Sequence, residues 1–417
     1  MDMCIMPGPL QGRLTAPPSK SAAHRAVICA ALARGRSRLG PIFPSDDILA
    51  TMDAAGALGA VVSLAGQTMI VEGISDPPAS ARVNCGESGS TLRFLVPIAA
   101  AMGVKTLFTG RGKLPQRPLT PLTDALKGFN CRYLTGSEEI LQTSGKLEAG
   151  RYTLPGDVSS QYISGLLFAL PLLGKGSELR LSSPLQSKGY VDMTLQSLAR
   201  SGIVIHPVED GWDIPGGQRY SPYDHRVEGD YSNAAFWLCA GALSQPVTIT
   251  GLTGDSLQGD MGVLDILERF GADVQRGETV RVGPAELYGI QIDATQIPDL
   301  VPILSVVAAC AQGESVIYGA GRLRIKESDR LQSVTAGLKG LGADIREFPD
   351  RLVIQGTGAL RGGKVDSFSD HRIAMSMTIA ALRCREPVVI SGAGCVDKSY
   401  SNFYTDFARL GGVCHVV

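Results

Sequence analysis

Long apolar runs alternate with short polar stretches along the chain, in a rhythm that returns six times. Each copy opens on a few polar residues, continues through an Ala/Leu-rich run, passes a glycine-containing turn and ends in a β-branched segment. The runs begin near Ser19 (SKSAAHRAVICAALA), Ser88 (SGSTLRFLVPIAAAM), Ser159 (SSQYISGLLFALPLL), Ser232 (SNAAFWLCAGAL), Asp299 (DLVPILSVVAACA) and Asp370 (DHRIAMSMTIAAL), at intervals of about 70 residues. Runs that are apolar nearly all round predict buried helices. The segments KTLFTG, SELRLSS, PVTITGL, ESVIYGA and PVVISGA, rich in Val, Ile and Thr, predict the strands that follow them. A second helix in each copy is amphipathic and closes on glycine, as in VLDILERFGADVQR, RLQSVTAGLKGLGADIREF and NFYTDFARLGGVCHVV. The first helix of each copy should be buried and the second partly exposed.

Six copies of this size predict two domains of three copies each. The boundary is placed within residues 221–230 (SPYDHRVEGD), where the apolar rhythm lapses, with another crossing at 15–18. If the buried helices of a domain run side by side, their polar N-termini emerge on one face. Two such faces would make a cleft lined by up to six positive dipole ends. Each end contributes only about 0.3–1 kcal/mol at an exposed site, so a polyanionic ligand also needs explicit cations.

Composition narrows the classes. Lys+Arg number 39 against 40 Asp+Glu in 417 residues, so no global field points to nucleic acid or an acidic membrane. Nine cysteines, with no CxxC and no Cys/His spacing for zinc, fit reduced thiols in a cytoplasmic protein and indicate neither disulfides nor a metal. The N-terminal MDMCIMPGPLQG lacks the pattern of a signal peptide, and the longest apolar runs, such as 163–173, are too short to span a bilayer.

The cations stand where the helices begin. Lys20 and Arg25 open the first copy, Arg93 lies in GESGSTLRF and Arg117 in LPQRPLTPL. Lys326 and Arg330 lie in IKESDRLQ, Arg372 in SDHRIAM and Lys398 in CVDKSYSNF. Any one alone reads as a surface charge; their recurrence at helix starts points to an anion site, arginine as a planar fork and lysine as a point charge. Lys326 and Arg330, four apart, share a face if that segment is helical. Ser19 or Ser21 is placed to cap the first helix. Two acids stand among the cations, Asp299 after QIP and Glu327 directly after Lys326. Singly each reads as a cap or ion-pair partner; facing an anion together, they could move protons. Ser159, Ser160, Gln161, Ser187 and Tyr190 add neutral donors for a hydroxylated, phosphorylated ring.

Together PPSKSAAHR, GESGSTLRF, QRPL, GDVSSQ, SKGYVD, IPD, KESDR, SDHR and the Lys398 loop resemble the EPSP synthase family of enolpyruvyl transferases, over essentially the whole chain. The resemblance implies an α/β fold of two similar domains, each three βαβαββ repeats with buried parallel helices, an inside-out α/β barrel. It implies that residues 1–15 join 229–417 in the C-terminal domain, that 16–228 form the N-terminal domain, and that the active site lies in the interdomain cleft. It also implies transfer of the enolpyruvyl group of phosphoenolpyruvate to the 5-hydroxyl of shikimate 3-phosphate, on the route to chorismate and aromatic amino acids. A cytoplasmic monomer working without metal or organic cofactor, nucleic acid or membrane is expected.

Matched by motif, Lys20, Ser21, Arg25, Ser159, Ser160, Gln161, Ser187, Asp299 and Lys326 would hold shikimate 3-phosphate, with Arg322 as a further phosphate contact. Lys20, Gly89, Arg117, Gln161, Arg330, Arg372 and Lys398 would surround phosphoenolpyruvate. Asp299 would be the base for the attacking hydroxyl and Glu327 the acid for the methylene carbon, with Lys20 sharing proton transfer. Where many relatives carry Asn-Ala-Gly-Thr-Ala, this chain has Glu87, Ser88, Gly89, Ser90 and Thr91, and Arg322 stands where several have Asn.

Three rivals differ in what they require. Enolpyruvyl transfer to UDP-N-acetylglucosamine goes with a Lys-Asn segment at the opening and a Cys on a loop near Arg117; here LPQRPL has no Cys nearby, and Cys131 lies past the following helix. An RNA 3'-phosphate cyclase needs a catalytic His and nucleotide binding; no P-loop is visible, and the nearest His is His371 in SDHR. A catalytically inert, anion-binding repeat scaffold requires the polar lead-ins to be only caps.

Overall fold

Each of the six apolar runs is a buried helix: Lys20–Leu32, Gly89–Met102, Ser160–Ala169, Tyr231–Leu243, Val301–Cys310 and His371–Ala380. The computed structural model describes residues 1–126, 128–134 and 138–417. The amphipathic partners follow as expected, for example Val263–Phe270, whose Val263, Leu264, Ile266, Leu267 and Phe270 face inward while Asp265, Glu268 and Arg269 face out. Its C-cap, Gly271, has φ +107°, a left-handed conformation that glycine adopts without a Cβ penalty.

Among the described residues the strands form six four-stranded sheets of one design. In the sheet containing Ser177–Leu181, that strand pairs in parallel with Arg151–Leu154 and antiparallel with Gly211–Ile214, which pairs antiparallel with His206–Val208. The parallel pair is joined through a buried helix, as a crossover requires, and the antiparallel pairs through the amphipathic helix and a tight turn. Strand alternation matches: Tyr152, Leu154 and Leu179 point into the core, while their neighbours Arg151, Thr153 and Glu178 are exposed.

The chain divides into two compact units, Met1–Ser19 with Glu228–Val417, and Lys20–Val227. In the first, the strand Met3–Ile5 lies between Val388–Ser391 and Cys414–Val416, and Gly12–Thr15 pairs in parallel with Val247–Thr250. The boundaries expected from the sequence leave residues 16–19 and 228 with the other unit. Backbone bonds correct this: Ala16 N–H donates to Thr250 O (2.9 Å), Asp230 N–H to Pro17 O (2.8 Å) and Ser19 N–H to Glu228 O (2.8 Å). The pairing begun by Gly12–Thr15 runs on to the last residue before the helix.

Each unit has its own core. In Lys20–Val227 the helices Gly89–Met102 and Ser160–Ala169 pack closely, with Phe94 edge-on to Phe168 at 5.4 Å. Gly165 permits that approach. A Cβ there would stand 2.4 Å from the Arg93 carbonyl oxygen and 2.9 Å from Pro97 Cγ. Alanine normally favours a helix over glycine by about 1 kcal/mol, but this clash is with backbone and cannot relax locally. Gly165→Ala is therefore expected to cost about 1–3 kcal/mol, read as a lower urea midpoint; an unchanged or higher midpoint would show the helices can separate freely.

Candidate active site

In the unit Lys20–Val227 the polar N-termini of the three buried helices are tied together by side chains. Arg93 Nη1 donates to Gln161 Oε1 (2.6 Å), and Gln161 Nε2 donates to Ser90 Oγ (2.8 Å). The Arg93 guanidinium also lies over the Tyr162 ring, 5.4 Å from its centroid. From the third helix, His24 Nδ1 meets Thr51 Oγ1 (2.7 Å), which meets Thr91 Oγ1 (2.7 Å), which donates to Ser88 Oγ (2.7 Å). Burial pushes His24 down to about 3, so the imidazole is neutral.

Lys20 Nζ lies 2.8 Å from Asp47 Oδ2, an ion pair with both side chains mostly buried. Arg25 is held by the protein: Nε donates to Thr194 Oγ1 (2.8 Å), Nη1 to Ser21 O (2.7 Å) and Nη2 to Tyr190 O (2.8 Å). Burial lowers it to about 10, which leaves it charged at neutral pH. Ser21 lies inside its helix; Ser19, just before it, donates its hydroxyl to Gln258 Oε1 at 3.3 Å. Ser159 caps the next buried helix by accepting from Gln161 N–H (3.3 Å), and Ser160 is that helix's first residue. Ser187 precedes Lys188–Arg200 in a left-handed conformation, φ +52°, and is buried. Arg117 reaches Gly89, where an added Cβ would stand 2.8 Å from Arg117 Nη1 and 3.1 Å from Arg93 Nη1.

The other unit gathers the acids. Arg330, 1% exposed, donates from Nη1 to Asp299 Oδ1 (2.7 Å), from Nη2 to Glu327 Oε2 (2.7 Å) and from Nε to Asp370 Oδ2 (2.8 Å). Asp299 thus shares one guanidinium with Glu327. Lys326 Nζ lies 3.8 Å from Asp299 Oδ1, and Arg372 Nη2 lies 3.5 Å from Asp299 Oδ2. Burial alone would raise the Asp299 carboxyl, but Arg372, Lys326 and Arg330 together hold it well below the usual carboxylate range. Burial pulls Lys326 down to about 8, with Asp299 opposing and Arg330 and Arg322 assisting. Arg330 itself is raised, because Asp370, Glu327 and Asp299 outweigh its desolvation.

Lys326 and Arg330 do not share a helix face. Asp329 caps the helix Arg330–Gly340 by accepting from Gln332 N–H (3.1 Å), so that helix begins at Arg330, and Lys326 ends a 3-10 turn, Gly321–Ile325, in extended conformation. The two cations converge on Asp299 through the intervening loop. Arg322, in that turn, donates from Nη2 to Thr295 O (2.7 Å), and Lys398 is buried at the end of the turn Ala393–Lys398. Arg372 Nη1 donates to Asp299 O (3.0 Å) and Nη2 to Ser232 Oγ (2.8 Å), which joins the starts of this unit's three buried helices. Among the described residues no cluster of three or more His, Cys, Asp or Glu could hold a metal ion, and no helix is long and apolar enough to cross a membrane.

Comparison with known proteins agrees over the full length. The family model for EPSP synthase (3-phosphoshikimate 1-carboxyvinyltransferase) matches residues 5–407. The 3-phosphoshikimate 1-carboxyvinyltransferase of Clostridium kluyveri is 44% identical over 98% of this chain and 97% of its own. The chain belongs to the EPSP synthase family. That of Clostridium beijerinckii is 45% identical over 98% of this chain and 97% of its own, and the solved EPSP synthase of Acinetobacter baumannii superposes with TM-score 0.83 at 26% identity, covering 100% of this chain and 99% of that one. This chain is thus a transferase of the EPSP synthase family, with that family's fold.

Several groups at this EPSP synthase family site escape a reading of the sequence. Asp370 reads there only as a helix start, yet it caps His371–Ala380 by accepting from Arg372 N–H and also anchors Arg330. Ser90 and Ser232 read only as polar residues at the start of apolar runs, and Asp47 and Asp260 lie outside those runs with no pattern to mark them. Because Arg330, itself buried, neutralises the buried Asp370 and the half-buried Asp299 and Glu327, Arg330→Gln is expected to cost about 3–5 kcal/mol at pH 7, measured by urea unfolding. Asp299 is depressed in the folded state, so its contribution is complete above the unfolded carboxylate value of about 3.9 and is lost as pH falls through the folded one. The gap between wild type and variant should narrow in acid; a constant gap would rule out this account.

Proposed function

We propose that this chain transfers the enolpyruvyl group of phosphoenolpyruvate to the 5-hydroxyl of shikimate 3-phosphate, releasing phosphate, as a cytoplasmic monomer. The observation that carries the reading is the convergence of two acids, Asp299 and Glu327, on one buried guanidinium beside Lys326 and Arg372. Protonation of the enol methylene develops cationic character on the neighbouring carbon, which the hydroxyl oxygen attacks. Loss of a methyl proton and of phosphate from the resulting adduct gives the product. Glu327 gives and retrieves the carbon-bound proton, and Asp299 accepts the hydroxyl proton, with Lys20 sharing proton transfer near phosphate.

Two phosphates and two carboxylates repel one another, and the cations exist to overcome that repulsion. Shikimate 3-phosphate draws on Lys20, Ser21, Arg25, Ser159, Ser160, Gln161, Ser187, Asp299, Arg322 and Lys326, and phosphoenolpyruvate on Lys20, Gly89, Arg117, Gln161, Arg330, Arg372 and Lys398. Asp299 is a weak base in the ligand-free protein, because three cations hold it ionised. Substrate anions on those cations offset their field, raise Asp299 and make it a better proton acceptor. The nine cysteines are all free and six are buried, in keeping with a reducing compartment.

Phosphate release from phosphoenolpyruvate tests this. Release is expected with shikimate 3-phosphate and not with UDP-N-acetylglucosamine, and Asp299→Ala and Glu327→Ala should each lower turnover by at least about 100-fold. Release with the sugar nucleotide, or unimpaired variants, would defeat the reading. Gly89→Ala pushes on the flexible ends of Arg117 and Arg93 rather than on backbone. It is expected to raise KM for phosphoenolpyruvate several-fold while unfolding stability stays within about 0.5 kcal/mol; an equal rise for both substrates would contradict this placement.

A further inference from the structure

Resting on the function proposed above, we infer that Asp260 is a positioning residue. Through the Ser232 hydroxyl it fixes the guanidinium of Arg372 beside Asp299. Asp260 is 2% exposed, in the turn Gly259–Gly262 that packs against the start of Tyr231–Leu243. Ser232 Oγ donates its proton to Asp260 Oδ2. A hydroxyl has one proton, so committing it to a carboxylate turns the oxygen's lone pairs outward as acceptors. Arg372 Nη2 donates to that oxygen at 2.8 Å, and Nη1 donates to the Asp299 carbonyl at 3.0 Å. Two anchors on a planar group fix its orientation, and the Nη2 edge is thereby set 3.5 Å from Asp299 Oδ2.

The placement comes at a cost to the fold. Burial, with Asp299 and Asp230 near, pushes the Asp260 carboxyl up to about 6, against the opposing pull of Arg372 and Ser232. A group raised on folding favours its protonated form there, so stability is lost as pH climbs from about 4 to about 6. An acid that costs stability at neutral pH is explained by what it holds in place.

The test compares Ser232→Ala, Asp260→Ala, Asp260→Asn and the double alanine variant. Loss of one charge-assisted hydrogen bond should raise KM for phosphoenolpyruvate about tenfold in Ser232→Ala and in Asp260→Ala. KM for shikimate 3-phosphate should stay within about twofold. The double variant should be no worse than either single one, since both act through the same contact. Asp260→Asn keeps an acceptor for the Ser232 proton and should recover most of the affinity. An unchanged KM for phosphoenolpyruvate in Ser232→Ala, additive losses, or equal rises for both substrates would overturn the inference. Ser232→Ala decides alone if Asp260→Ala does not fold. Crystal structures of these variants separate the two questions: if the wild type releases no phosphate the proposed function fails, and an Arg372 guanidinium unmoved in Ser232→Ala then overturns the positioning role independently.

Discussion

One guanidinium holds the acids of this site in place. Arg330 is almost wholly buried and meets Asp299, Glu327 and Asp370, which come from three separate stretches of sequence. Two like charges 4 Å apart repel by about 4 kcal/mol at an effective dielectric constant of about 20, so carboxylates gathered on one group repel strongly. Without a cation among them they would protonate or move apart. A planar fork with five donors can satisfy three carboxylates at once, which a lysine ammonium cannot do with the same fixed geometry. Buried ion pairs seldom add net stability. The value of this one lies in setting the distance and orientation between two acids.

That arrangement depends on where the fold lets polar atoms sit. A helix that is apolar nearly all round can show polar or charged groups only at its ends, and the six buried helices do so at their N-termini. In each unit those ends are cross-linked by side chains: Arg93, Gln161 and Ser90 in one, Arg372, Ser232 and Asp299 in the other. The repeat that builds the core therefore also builds, in each unit, a set of polar helix starts carrying positive dipole ends.

The fold is legible because the six-fold rhythm of apolar runs and β-branched strands is a local signal, and each helix and strand it predicts is present. The cations are legible because they recur at helix starts. What escapes is pairing. Lys326 and Arg330 look like one helical face, but Asp329 between them caps and restarts the helix, so proximity comes from a loop. Arg25 donates to the Ser21 carbonyl, the Thr194 hydroxyl and the Tyr190 carbonyl, partners that lie up to 169 positions away and that no local spacing announces. Ser232 is visible only as the start of the fourth apolar run, with nothing to mark its two partners, and Asp47 and Asp260 have no periodic signature, since a single acid beside a buried cation or hydroxyl follows no repeat. The crossing residues 16–19 are misassigned from sequence because strand pairing, not composition, decides to which core they belong.

In each unit a cation of the candidate site already has an anionic partner, Lys20 on Asp47 and Arg330 on three acids. This alters what ligand binding measures. A cation left unpaired in a buried site would carry its full desolvation penalty, whereas a carboxylate beside it offsets that penalty in advance. An arriving phosphate or carboxylate then competes with, or shares, a standing partner. Affinity becomes a difference between two ion-pair arrangements, and the acids relieved of part of their cation's field become more basic. Paired resting charges thus offset burial without ligand and couple anion binding to the protonation of Asp299; in the role proposed for it, Asp299 would be strengthened as a base only when substrate anions are bound.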